Sequence, residues 1–250
     1  MIPLRDENPS RTFPIFVVLL IAANVLVYLY ELALPQGRHL LFQYTYAAIP
    51  AVVLGKAQWA QAVPPELLQY ARLSDLSADP VTPIWLTIFS SMFLHAGFMH
   101  IGGNMLYLWI FGNNIEDALG HFRFLVFYLF CGFLAAAAQI LLSANSGMPM
   151  LGASGAIAGV LGAYYYLYPT ARVRTLIIFV VFISVVWLPA SLVLLVWFLL
   201  QVMQSVSALG GHGSGGVAVF AHLGGFVVGW LAVRGLLPGR RPRPRLGRWE

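Results

Sequence analysis

The stretch Leu151-Gly152-Ala153-Ser154-Gly155-Ala156-Ile157-Ala158-Gly159 opens an apolar run that continues to Tyr168-Pro169. It sets one hydroxyl, flanked by glycines, at a helix start. Such a serine can serve as an N-cap. It can also be a nucleophile, held where unpaired backbone N–H groups point at a reacting centre. Taken alone, the G-x-S-G pattern leaves both readings open. The rest of the chain decides between them.

Of the 250 residues, 60% are hydrophobic and 9% charged, with a mean hydropathy of +0.79. A soluble domain of this size needs more charge on its surface. Several nearly uncharged runs reach the ~20 residues that cross a bilayer. The composition predicts an all-α, polytopic membrane protein. The net charge of +5 does not indicate nucleic acid, because the basic residues gather at span ends and in the tail. Cys131 is the single cysteine, which excludes a disulfide framework and a thiolate metal cluster.

In chain order, a polar segment at 1–12 precedes span 1 at 13–34. A long, semi-structured first loop at 35–82 contains Leu40-Leu41-Phe42 and Trp59, which need cover. Short helices at the lipid interface would supply it. Span 2 begins between Ile84 and Gly97 and ends near Gly112. A polar turn at 113–117 follows, with Gly120-His121-Phe122-Arg123 after it. Span 3 covers 124–142 and span 4 covers 154–168. Residues 173–208 form an apolar stretch of 36 residues broken at Pro189. A Gly-rich loop at 210–216 leads to the last span at 217–237 and a basic tail at 238–250.

Charge bias gives the count. With both termini and the turns after spans 2 and 4 on the cytoplasmic side, that side holds eleven Lys/Arg and the other holds three, Arg38, Lys56 and Arg72. This follows the positive-inside rule. It requires 173–208 to cross once, with a tilted, kinked or interfacial first part. The expectation is six transmembrane helices, one domain at 13–237, and flanks at 1–12 and 238–250.

Polar groups inside spans are costly and usually functional. The candidates are His95, His100 and Asn104 in span 2, Ser154 in span 4 and His222 in the last span, while Gln139 and Gln201 fit helix–helix hydrogen bonding. Ser154 and His222 each lie 18 residues from an arginine at the inner end (Arg172, Arg240), and His100 lies 16 from Glu116. At ~1.5 Å per residue all three reach one level, roughly 25 Å above the inner charges. Small residues allow close approach of two spans: Gly155, Gly159 and Ala163 in one, Ala221, Gly225 and Gly229 in the other.

A serine beside a histidine is a nucleophile–base pair. None of the nine acidic residues falls near His222 in a span, so the expected site is a Ser154–His222 dyad. His100 and Asn104, one turn apart, share a helix face. With the N–H groups of Ser154 and Gly152 they can donate to an oxyanion. Zinc is disfavoured: His95 and His100 stand about 140° apart on a helix, unlike the zincin spacing. No metal or cofactor is expected.

The chain resembles the rhomboid family of intramembrane serine proteases. The resemblance runs from Phe93 to about Gly229. It rests on His95-x4-His100-x3-Asn104, Phe111-Gly112-x3-Ile115-Glu116-x2-Leu119-Gly120, Gly152-Ala153-Ser154-Gly155 and Ala221-His222-x2-Gly225-x3-Gly229. It implies a six-helix rhomboid-like bundle, with Ser154 as nucleophile, His222 as base, and His100, Asn104 and Gly152 at the oxyanion hole. It implies a structural role for His95, pinning the first loop, and a cap formed by 210–216. The implied partners are transmembrane protein substrates and the bilayer, cleaved near the non-cytoplasmic face. The expected location is a bacterial inner membrane. The rival reading is a non-catalytic membrane-protein binder or chaperone using the same polar cluster.

Overall fold

The structure, a computed structural model, describes residues 1–74, 83–179, 182–209 and 219–237. Helix α1 (Ile15–Ala33) is an uninterrupted apolar segment starting after Pro14. Its first N–H groups would be orphans. The Glu116 carboxylate accepts two of them, from Phe16 at 3.0 Å and Val17 at 2.8 Å. Asp117 accepts the N–H groups of Arg11 and Thr12 just upstream. Four short helices follow: α2 (Gln36–Tyr46), α3 (Pro50–Val53), α4 (Trp59–Ala62) and α5 (Pro65–Leu73). They enclose a small core of Leu41, Ile49, Trp59, Val63 and Ala71.

The short turns Ile84–Leu86, α6 (Thr87–Ser90) and Ser91–Phe93 then bend by 83° into α7 (Phe98–Leu119). The helix does not stop at Gly112. Asn113 to Asp117 are helical, and the stop is Gly120, whose φ of +83° ends the turn. Gly112 instead gives α1 room to approach, since a Cβ there would lie 3.0 Å from Val17. Helices α8 (His121–Leu142) and α9 (Ser154–Leu167) follow, then α10 (Ala190–Leu209) and α11 (Val219–Leu236).

Helices α1, α8 and α11 are long and apolar enough to cross a membrane, and the bent pair ending in α7 makes a fourth. The chain is a multi-pass membrane protein, mostly helical. Its main core joins α1, α7, α8 and α9 through Phe111, Phe124, Tyr128, Leu161 and Tyr164, all fully buried.

The all-α expectation needs correction. Residues 173–179 and 182–189 are not helical. Strand β2 (Arg172–Phe179) pairs antiparallel with β3 (Phe182–Pro189), and β1 (Ile2–Asp6) pairs with the other side of β2. The break at Pro189 is real, and α10 starts one residue later. The described part of the 36-residue run is therefore two paired strands followed by a helix. The sheet also ties the N-terminal segment to the bundle. Asp6 accepts hydrogen bonds from Tyr164 Oη at 2.7 Å and Asn114 Nδ2 at 2.8 Å. The expected cap at 210–216 and the basic tail at 238–250 lie outside the described residues.

Helices α9 and α11 touch backbone to backbone. A methyl group on Gly229 would run into the Gly159 carbonyl, one on Gly225 into Gly155 O, and one on Gly162 into Phe226 O. Backbone cannot move aside cheaply, so overpacking here is costly. Gly229→Val should destabilise the protein by about 1–3 kcal/mol or more, read as a lowered thermal midpoint in detergent. Gly235, with open space around it, should tolerate the same change.

Burial pushes the Asp6 carboxyl up to about 6. A raised acid binds its proton more readily folded than unfolded, so stability should fall as pH rises from about 4 to about 6 and level off above. Asp6→Asn should remove that part of the slope in a pH series of unfolding midpoints.

Candidate active site

Ser154 is the first residue of α9, with Ala153 as its N-cap. Gly152 before it has φ +115°, a conformation that side chains rarely adopt. This turn brings the residues leading into α9 up against His100 and Asn104. On α11, the first N–H groups are taken by Gln139 of α8, whose Oε1 accepts from Phe220 at 3.1 Å and Ala221 at 3.3 Å. That fixes the turn that carries His222.

The Ser154 Oγ and His222 Nε2 are 2.6 Å apart. With Nε2 unprotonated, Ser154 donates its hydroxyl proton to it, the arrangement a nucleophile–base pair requires. His222 is buried, and its Nδ1 has no hydrogen-bond partner among the described residues. Among the described residues no carboxylate orients the ring. Trp197 of α10 does touch it, with ring centroids 5.6 Å apart, and Trp197 rests in turn on Tyr107 of α7 at 5.9 Å. Sequence reasoning missed Trp197, because its helix lies in the run read only for crossing number.

His100 and Asn104 flank Gly152. A Cβ on Gly152 would sit 2.7 Å from the His100 ring and 3.6 Å from Asn104 Nδ2. The geometry alters one expectation. The Gly152 N–H is not free for an oxyanion, because it donates to Ser91 O at 2.8 Å. What Gly152 supplies is close approach, and the free backbone donors are those at the first turn of α9. Ser91, which fixes the turn, carried no signal in the sequence.

His95 is fully buried within a polar network. Its Nε2 pairs with Asn104 Nδ2 at 2.9 Å, and its ring meets His100 edge to face at 5.0 Å. Its N–H donates to Glu31 of α1, and its carbonyl accepts from Gln43 of α2. Gln43 also donates to Glu31 at 3.0 Å. Asn104 is thus held through His95 by the first loop and α1. Glu31 was the available clue: a carboxylate inside an apolar span is seldom there without a buried partner.

The Gly152 geometry has a direct consequence. Gly152→Ala should strain the backbone and press His100 off its position, lowering stability by about 1–3 kcal/mol. Thermal unfolding compared with Gly147→Ala, a loop glycine with room for a methyl, measures it.

Known proteins resemble this chain. A family model described as the Rhomboid domain matches residues 83–239. "Rhomboid protein 1, mitochondrial" of Saccharomyces cerevisiae is 36% identical over 92 residues, 35% of this chain and 27% of that protein. "Rhomboid protease GluP" of Bacillus subtilis is 39% identical over 82 residues, 33% of this chain and 16% of that one. "Presenilin-associated rhomboid-like protein, mitochondrial" of Bos taurus is 32% identical over 108 residues, 42% of this chain and 28% of that one. The chain spans under a third of each relative's length. Two of these names place their proteins in mitochondria, so a bacterial inner membrane gains no support from them.

Proposed function

This chain belongs to the rhomboid family, and from that premise we propose that it is an intramembrane serine endopeptidase working through a Ser154–His222 dyad. The observation that carries the reading is the 2.6 Å contact between Ser154 Oγ and His222 Nε2 at the N-terminus of a helix, with His100 and Asn104 alongside. In this reading His222 takes the hydroxyl proton as Ser154 Oγ attacks a peptide carbonyl. The developing oxyanion meets the Ser154 N–H and the side chains of His100 and Asn104. His222 then returns the proton to the leaving amine. Water, deprotonated by the same ring, releases the acyl group.

The substrate is a transmembrane segment of another protein. Its carbonyls are hydrogen-bonded while helical, so it must unwind locally before attack. The six crossings are α1, α7, α8, α9, α10 and α11, with residues 13–237 as the catalytic domain and both termini on the cytoplasmic side. The site then lies near the opposite face. What supports this arrangement is the excess of arginine at the ends away from Ser154.

A fluorophosphonate probe should label the active, detergent-solubilised protein at Ser154 alone. Ser154→Ala and His222→Ala should each lower cleavage of a membrane-anchored substrate by about ten-thousand-fold, with unfolding midpoints unchanged. Function preserved in Ser154→Ala would instead favour a non-catalytic binder.

A further inference from the structure

A sheet that packs one face on a bundle and shows the other to water alternates apolar and polar residues along each strand. The β1–β2–β3 sheet does not. Its inner face is ordinary: Val173 and Thr175 are fully buried. The outer face is apolar as well. The cross-strand partners Ile178 and Ile183 are 53% and 71% exposed, and Val185, opposite Leu176, is exposed too. Ile2 of β1, opposite Leu176, extends the patch. Nothing among the described residues covers it.

The base of the same face is cationic. Arg5 and Arg174 stand directly opposite each other on β1 and β2. Facing like charges destabilise a sheet, and neither arginine has a carboxylate partner among the described residues. Arg174 also lies opposite Trp187, and the Arg5 guanidinium sits 5.7 Å from the Trp187 ring. An anion between the two arginines would relieve their repulsion. Apolar side chains beside arginine and tryptophan form the signature of a membrane interface.

The sheet follows the C-terminal end of α9, away from Ser154. We propose that its outer face is a lipid anchor, seated in the interfacial layer of that leaflet, with Arg5 and Arg174 binding the headgroup phosphate of an anionic phospholipid. Among the described residues β3 pairs on one side only, so its open edge keeps the two strands at headgroup depth, where water satisfies the backbone. A second copy of the chain fits this face less well, since stacking two such faces would bring four arginines together without a counter-charge.

The test uses the full chain in vesicles and does not read proteolysis, so it stands or falls apart from the catalytic reading. Ile183→Cys accepts a fluorophore at an exposed position, while the native Cys131 is buried. Brominated phosphatidylcholine in the bilayer should quench the probe, and aqueous iodide should quench it weakly. Brominated phosphatidylglycerol at equal content should quench more strongly. The double variant Arg5→Gln/Arg174→Gln should cut that anionic preference by roughly tenfold or more. Full iodide quenching without lipid quenching would overturn the anchor. So would a disulfide between two copies through position 183, which would mark the face as a protein interface. Equal quenching by the two lipids would overturn the phosphate site.

Discussion

The fold depends on the contact between α9 and α11, where glycines let two backbones meet. Helix association in a bilayer cannot draw on the hydrophobic effect, since lipid is as apolar as leucine. It draws on close packing, and the approach at Gly155, Gly159, Gly225 and Gly229 is as close as helices allow. This contact brings Ser154 and His222 together. Both stand near the N-terminal ends of their helices, and the two helices run parallel. A shift of one helix along the other by a single residue would move the histidine about 1.5 Å, enough to break a 2.6 Å hydrogen bond.

Much of this was legible in the sequence because membrane helices are written in a coarse code. Apolar runs located α1, α8, α9 and α11 to within a few residues. The small-residue ladders predicted which two helices meet. What stayed hidden has physical reasons. Hydropathy measures apolarity and not period, so Val173 to Leu188 looked like part of a long helix. The same residues are rich in Val, Ile, Phe and Trp, which favour strands. That composition was the overlooked signal. The turn at Asn113 to Asp117 looked like a loop because it is polar. Its polarity serves another element: Glu116 and Asp117 accept the N–H groups around the start of α1.

Buried carboxylates do a common job at the two ends of α1. Glu116 caps its first turn, and Glu31 in its last turn gathers Gln43 and the His95 backbone. Each is fully buried, and each accepts more than one hydrogen bond. An unpaired carboxylate in such surroundings would cost several kcal/mol. The arrangement therefore fixes α1 against α7 at one end, and against α2 and the segment leading into α7 at the other. Through His95 it also fixes Asn104, one of the two side chains beside Gly152. A residue far from Ser154 in the chain thereby bears on the geometry around it.

Helix length explains how water can reach a hydroxyl inside a membrane protein. Helix α8 has 22 residues and α9 has 14. At ~1.5 Å per residue that is about 33 Å against 21 Å, the first sufficient for a hydrocarbon core of ~30 Å and the second not. The missing length of α9 falls at its N-terminal end, where residues 143–153 form a loop with the Ser146 and Ser143 backbones hydrogen-bonded to each other. The 83° bend before α7 likewise starts that helix only at Phe98, two residues before His100. Polar side chains collect at the starts of both helices, His100 and Asn104 on α7 and Ser154 on α9. On the reading proposed above, hydrolysis needs water there and a dry bilayer elsewhere. A short helix among long ones provides both without opening the bundle.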